Sequence, residues 1–125
     1  VMHEPTFRGV LLDYSEVEFL LAEAVERGYS VGGTAATHYT NGITANMTDW
    51  GVASADIATY IARTDVAYAT ATGTWRQKIG LQFWLAMYNR GFEGWSVKRK
   101  YDAPSFNTAA VSGLPLPILN WQSLL

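Results

Sequence analysis

Apolar residues recur with helical spacing along most of this chain. The first segment, Tyr14 to Arg27, carries a stripe formed by Val17, Leu20, Leu21, Ala24 and Val25. Positions i, i+3, i+4, i+7 and i+8 lie on one side of an α-helix, so we expect this stripe to be its buried face. Ser15 followed by Glu18 suits a capping box, and Gly28 suits a left-handed C-terminal stop. The segment is therefore predicted to be a helix with both ends marked in the sequence.

Two further helices are predicted before the middle of the chain. Thr34 can cap a helix that stops before Gly51 and whose inward positions would be Tyr39, Ile43, Met47 and Trp50. Gly42 is expected to weaken the middle of that helix. Ser54 can cap a short third helix, whose apolar positions are Ile57, Tyr60 and Ile61. The next ten residues, Thr64 to Gly73, are rich in Thr and Ala and are typical of a loop.

The pattern changes from Thr74 to about Asn89, because apolar residues occupy more than one side of the predicted helix. One stripe consists of Trp75, Ile79, Phe83 and Met87, and the other apolar positions are Leu81, Trp84, Leu85 and Tyr88. We therefore expect this helix to be buried on most sides. Another short helix, Phe92 to Lys100, should end near residues 102–104, where a proline follows. The tail, with its Leu-Pro-Leu-Pro run at 114–117, is expected to be extended and packed over the helices.

No strong alternating strand pattern is present, so the sequence predicts an all-α fold of antiparallel helical hairpins with an extended C-terminal tail. The 125 residues are enough for one compact unit, and the 49% apolar fraction can build one core. Charged residues make up only 16% of the chain and the net charge is −2. Since the one basic cluster is Lys98 to Lys100, we expect no nucleic-acid partner. There is no cysteine, and no apolar run is long enough to cross a bilayer.

Three sequence blocks resemble the SusD/RagB family, and they occur in the order in which that family has them. The first block is YSEVEFLLAEA at 14–24 with Arg27-Gly28 after it, and the second runs from ITANM at 43–47 to WGV at 50–52. The third is QFWLAMY at 82–88, which leads into GFEGW at 91–95 and the basic run at 98–100. Two departures concern the family's Arg-Arg-Thr-Gly-Tyr-Pro and terminal Arg-Arg-x-Pro-Tyr-Pro runs, which are replaced here by residues 98–104 and 113–117.

The resemblance implies a fold, a location and a partner. The fold would be a tetratricopeptide-like array of helical hairpins, and residues 1–125 would form a single helical segment from the C-terminal part of a longer polypeptide. The protein would be a surface-exposed lipoprotein of the outer membrane, attached by a lipid anchor outside this sequence. It would bind an oligosaccharide without catalysis and deliver it to a SusC-like TonB-dependent transporter. No sugar-contact motif of the family maps onto these positions.

Aromatic side chains are the candidate ligand contacts, because their faces stack on the C–H surfaces of sugar rings. Trp50, at a helix end, and Tyr68, in the predicted loop, are the positions best placed to reach solvent. We predict that these two residues bind ligand, although packed aromatic side chains are the commoner alternative. Trp75, Trp84 and Trp95 lie on helical stripes or in family blocks, so they are expected to belong to the core.

Catalytic residues, metal ligands and cofactor sites are not expected. Glu16, Glu18, Glu23 and Glu26 lack the controlled separation of a glycosidase acid/base pair, and cap, dipole or solvated-face roles explain them better. Glu23 is the exception, since it flanks the predicted apolar stripe and could bond a neighbouring helix. His3 and His38 are isolated in sequence and are expected to be ordinary surface histidines.

Three hypotheses remain open from the sequence. The first is a non-catalytic glycan-binding protein. The second is a helical module that docks the transporter, with the ligand site elsewhere or with peptides rather than glycans as ligand. The third is a glycosidase, which rests only on the coexistence of carboxylates and aromatic side chains.

Overall fold

The computed structural model describes residues 9–105, which contain five α-helices and no β-strand. The helices are α1 (Tyr14–Glu26), α2 (Ala35–Asp49), α3 (Ser54–Ile61), α4 (Trp75–Ala86) and α5 (Gly91–Tyr101). The all-α prediction is confirmed for this part of the chain. The predicted tail and His3 lie outside the described residues. None of the described helices has the length and apolar character needed to cross a bilayer.

Two antiparallel hairpins organise these helices. In the first, Tyr14 and Ser15 at the start of α1 line one pocket together with Asp49 at the end of α2. Farther along α1, Glu18 meets His38 near the start of α2, so the two helices run antiparallel. In the second, Gly80 of α4 lies against Tyr101, whereas Met87, just after α4, lies against Gly94. Helix α4 also packs on both α1 and α2, which joins the two hairpins. This arrangement agrees with the expected tetratricopeptide-like hairpins.

A row of aromatic rings forms the centre of the core. Phe19 stacks on Phe83 with ring centroids 5.2 Å apart, and it meets Tyr39 edge-on at 6.3 Å. Phe83 meets Tyr101 at 6.0 Å, and Tyr39 meets Tyr68 at 5.0 Å. The row therefore runs from the α3–α4 connection through α2, α1 and α4 to the end of α5. Aromatic pairs at these separations add to the stabilisation that burial gives.

The ends of α1 and α2 follow simple chemistry, with one correction at α1. The N-cap of α1 is Asp13 and not the predicted Ser15. The Asp13 carboxylate accepts a hydrogen bond from the Glu16 backbone N–H at 2.7 Å. Ser15 is buried, and its hydroxyl donates a hydrogen bond to Asp13 at 2.7 Å. Gly28 has φ +86°, and the N–H groups of Gly28 and Tyr29 bond back to the last turn of α1, which confirms the left-handed stop. Thr34 caps α2 as predicted.

The buried face of α1 is not the predicted apolar stripe. The buried residues of α1 are Ser15, Glu18, Phe19, Ala22 and Glu23, whereas Leu20 from the stripe is 40% exposed. The reason is that α2 and α5 supply partners for the two carboxylates, so the polar side chains can face inward next to Phe19.

Three predictions for the later helices are corrected. Trp50 is the C-terminal cap residue of α2 and is 55% exposed, although Tyr39 and Ile43 point inward as expected. Ala53, not Ser54, is at the N-cap position of α3, and it makes no side-chain hydrogen bond there. Helix α4 begins with a Thr74–Gln77 capping box. It is buried on one face only, because Leu81 and Leu85 are exposed, as is Tyr88 just after the helix.

The connection between α3 and α4 is a compact series of turns. Val66 is buried, and its carbonyl oxygen accepts the Tyr39 hydroxyl at 2.8 Å. Burial of the Tyr39 hydroxyl raises its pKa far above the ordinary value, so it stays protonated as a donor. The predicted loop is therefore anchored in the core.

Candidate functional site

An exposed aromatic pair lies where the end of α2 approaches the end of α4. Trp50 is 55% exposed and Tyr88 is 84% exposed, and their ring centroids are 6.4 Å apart in an edge-on arrangement. Local structure explains both positions. Gly51 has φ +76° and ends α2 directly after Trp50, and α4 has ended at Ala86, two residues before Tyr88. The pair thus sits at two neighbouring helix ends, with large apolar faces open to solvent.

Tyr88 also lines a groove between α4 and α5. The groove has a volume of about 300 Å³, and its lining includes the side chains of Trp84, Leu85, Trp95 and Lys98. Gly91 and Gly94 also line it. The aromatic surface, by which we mean Trp50, Trp84, Tyr88 and Trp95, is therefore continuous from the end of α2 into this groove. Rings of this kind can stack on the apolar faces of a flat ligand.

The three tryptophans expected in the core divide between core and surface. Trp75 and Trp84 are partly buried and pack against the core, as expected. The guanidinium groups of Arg27 and Arg76 lie 5.7 and 5.8 Å from the Trp75 ring. Trp95 is 50% exposed, so its assignment to the core is wrong. It lines the groove between α4 and α5, whereas the buried residues of α5 are Gly94, Val97 and Tyr101.

Tyr68 lies in a different place from Trp50 and has several intramolecular partners. Its hydroxyl donates to Glu26 Oε1 at 2.6 Å, and its ring packs against Tyr39. Lys78 Nζ donates to the Tyr68 carbonyl oxygen at 2.9 Å and lies 5.4 Å from its ring centroid. The structure therefore does not bring the two predicted ligand-binding residues together. A ligand would reach Tyr68 only at the part of its ring that remains exposed.

Glu23 is buried and bonded on several sides. It accepts hydrogen bonds from the Tyr101 hydroxyl and from Arg27 Nε, the latter at 2.7 Å, and it pairs with Lys100. Burial by itself would raise the pKa of this carboxyl, but the bonds from Lys100, Tyr101 and Arg27 outweigh it and hold the pKa below its ordinary value. Glu23 thus bonds a neighbouring helix, as the sequence suggested, and its role is structural.

Glu18 and His38 form a second buried pair, and here the sequence-based prediction is wrong for both. His38 Nδ1 lies 2.7 Å from Glu18 Oε2, and both side chains are largely enclosed. Burial opposes the charge on Glu18, but hydrogen bonds from Tyr14, His38 and Asn41 lower the pKa of its carboxyl. Glu18 is therefore not on a solvated face, and His38 is not an ordinary surface histidine.

The remaining carboxylates and the basic run are also held by intramolecular contacts. Glu16 pairs with the nearly buried Arg90, and Lys98 Nζ lies 3.2 Å from Asp102. Among residues 9–105, no group of three or more His, Cys, Asp or Glu side chains is arranged to hold a metal ion. Glu18 and Glu23 bond partners inside the fold and do not face each other as an acid/base pair across an open cleft.

Comparison with known proteins gives the family. A SusD-like family model, described as starch-binding and associating with the outer membrane, matches residues 2–117. This chain belongs to the SusD-like family. A solved structure described as Bacteroidetes AC2a SusD-like is similar, with 30% sequence identity and a TM-score of 0.69. The match covers 87% of this chain but 23% of that one, so the chain spans about a quarter of the length of its solved relative. A comparison with curated proteins gives no significant match.

Proposed function

We propose that this SusD-like protein binds glycans at the outer membrane without acting on them chemically. The observation that carries the proposal is the family match over residues 2–117, because that family is described as starch-binding and outer-membrane associated. The aromatic surface supports it, since exposed indole and phenol rings are suited to stacking on sugars. Within it, Trp50 is the sequence-predicted contact that the geometry favours, and a role for Tyr68 stays a prediction.

The test is calorimetric titration of the full-length protein with starch-derived oligosaccharides. We expect Trp50→Ala combined with Tyr88→Ala to weaken binding by about tenfold, because removing the stacked rings costs on the order of 1.4 kcal/mol. Tyr29→Ala is the matched control, since Tyr29 is 66% exposed but lies in the connection between α1 and α2. Binding that survives the double substitution unchanged would place the sugar site elsewhere in the protein. If the protein bound none of the glycans tested, the proposed function itself would be contradicted.

We further propose that the captured glycan is delivered to a SusC-like TonB-dependent transporter. The protein would be held at the cell surface by a lipid anchor outside this sequence. The family description supports the outer-membrane association, and the transporter partner is inferred from the resemblance stated above. Co-purification of the full-length protein with its genomic neighbour of transporter type tests the partnership. Fractionation with and without lipoprotein processing tests the anchor.

A second candidate function is docking to the transporter, and a specific observation favours it. Leu81 and Leu85 of α4 and Phe92 of α5 are exposed, and the last of these is 89% exposed. Apolar side chains on neighbouring helices are suited to protein contact. If Leu81→Asp and Phe92→Asp abolish co-purification with the transporter while glycan titrations stay unchanged, this segment docks the transporter. If the protein bound peptides and no glycans in the same calorimetric titrations, the ligand class would be peptides.

A further inference from the structure

The His38 imidazole bridges two parts of the first hairpin. Its Nδ1 lies 2.7 Å from Glu18 Oε2 on α1, and its Nε2 lies 2.9 Å from the carbonyl oxygen of Gly32 in the α1–α2 connection. The side chain is only 12% exposed. Gly33 packs closely on the ring, since a Cβ atom at that position would lie 2.8 Å from Nε2. The imidazole therefore ties the end of the connection to the body of the hairpin.

Both partners of the ring are hydrogen-bond acceptors. A carboxylate oxygen and a carbonyl oxygen have no proton to give, so both contacts are made only when both ring nitrogens carry hydrogen. The neutral imidazole has one N–H and can bond only one of the two. The geometry is thus complete only for the imidazolium ion.

The groups around the ring decide whether the Glu18 contact or the Gly32 contact is lost when the imidazolium gives up one proton. Helix α1 presents the Glu18 carboxylate, to which the Tyr14 hydroxyl and the Asn41 amide are also hydrogen-bonded. The connection presents the Gly32 carbonyl, and no hydrogen bond or ion pair from the described α3 or α4 reaches the ring. A charged acceptor holds a proton more strongly than a neutral one. The remaining proton therefore stays on Nδ1, and the Nε2 lone pair then faces the lone pairs of Gly32.

We propose that His38 is a pH-sensitive latch on the α1–α2 connection, residues 27–34: it is closed when the imidazole is protonated and opens at Gly32 when the proton leaves. The connection carries Tyr29 and Val31, which are 66% and 40% exposed. Opening the latch changes how these two side chains are presented to solvent. The hydrogen bond to Gly32 and the contact with Glu18 both raise the pKa of His38 above its ordinary value, which favours the closed form at mildly acidic pH.

The latch is tested by NMR on the full chain between pH 5 and 9, in a His3→Ala background that leaves His38 as the single histidine among these 125 residues. We expect the ring nitrogens to titrate with a midpoint above 6.5. We also expect the carbonyl ¹³C resonance of Gly32 and the amide ¹⁵N resonance of Gly33, which is bonded to that carbonyl, to shift with the same midpoint, because the Gly32 carbonyl then loses its hydrogen bond to Nε2. Amides in the α4–α5 turn serve as the internal reference.

Two variants separate the latch from a general effect of pH. Glu18→Gln keeps an acceptor but removes the charge, so the midpoint of His38 should move down. His38→Gln should leave the Gly32 carbonyl and Gly33 amide resonances independent of pH over this range. A His38 midpoint at or below 6.5, or a Gly32 carbonyl resonance that does not follow the titration of the ring, would overturn the proposal.

Discussion

At the scale of single residues, the buried carboxylate of Glu23 shows how one polar side chain holds two helices together. It is 4% exposed and joins α1 to the last turn of α5 through Tyr101 and Lys100. Burial of the Tyr101 hydroxyl and its bond to Glu23 raise the pKa of that hydroxyl, which keeps it a donor. A buried charge is tolerated only when such partners replace water.

We expect Glu23→Gln to lower the free energy of unfolding by about 2 kcal/mol, because a neutral amide replaces the buried carboxylate that accepts the bonds from Tyr101, Arg27 and Lys100. The Arg27 and Lys100 side chains are 45% and 44% exposed, so water solvates them after the substitution. Urea denaturation monitored by circular dichroism measures the change. Glu93→Gln is the matched control: Glu93 lies in the first turn of α5, where loss of its charge should cost less than about 1 kcal/mol. Equal effects of the two substitutions would show that Glu23 is not a structural centre.

Sequence reasoning identified the role of Glu23 but missed that of Glu18. Glu23 flanks an apolar stripe, and this position suggested a bond to another helix. The partner of Glu18 is His38, 20 residues away on another helix, and periodicity within one helix carries no information about that pairing. Two isolated polar residues can be ordinary surface residues or a buried pair, and only the packing of α1 on α2 distinguishes the two cases.

At the scale of secondary structure, the sequence predicted the positions of the helices more accurately than it predicted their buried faces. Gly28 and Gly51 mark the C-terminal ends of α1 and α2 because both adopt positive φ. The N-terminal caps were harder, since Asp13 and Ser15 are both good cap residues and only the backbone geometry chooses Asp13. The buried face of α1 was predicted wrongly because Glu18 and Glu23 find partners on other helices.

The close approach of α4 and α5 depends on Gly80. A Cβ atom there would meet Tyr101 Cβ, would lie 2.9 Å from Tyr101 Cγ and would lie 3.1 Å from Ala103 Cβ. We expect Gly80→Ala to destabilise the fold by about 1–3 kcal/mol, because the overlap outweighs the higher helix propensity of alanine. Gly91→Ala is the control, since no atom lies within 4 Å of a Cβ at that position. Thermal unfolding compares them; a Gly80→Ala protein as stable as the control would contradict this packing argument.

At the scale of the whole molecule, the fold was more predictable than the candidate site. Five helices follow from periodicity and from Gly and Thr punctuation, which are local properties of the sequence. The aromatic surface is not local, because Trp50 and Tyr88 come together only when the ends of α2 and α4 meet. Trp95 carries the same pattern as a core residue, and its exposure depends on the face by which α5 packs on α4. Exposure at a helix end was the one signal that identified Trp50 in advance.

The same buried groups predict how the stability of the whole chain depends on pH. Glu18 and Glu23 have pKa values lowered below the ordinary 4.5, so their contribution is complete above that value and is lost as the pH falls through their folded pKa values. His38 has a pKa raised above the ordinary 6.5, so its contribution is complete below 6.5 and is lost as the pH rises through its folded pKa. The exposed Arg63–Asp65 pair should contribute little.

Stability should therefore be greatest between about pH 4.5 and 6.5, on the acid side of neutrality. Urea unfolding curves recorded from about pH 2 to pH 9 test this, and we expect the free energy of unfolding to decline by about 1 kcal/mol on the alkaline side. In His38→Gln the alkaline decline should disappear while the acid decline remains, because the carboxylates are untouched. In Glu23→Gln the acid decline should become shallower. If the urea midpoint of the unsubstituted protein rose steadily from pH 6 to 8, the assignment of a protonated His38 to the folded state would be contradicted.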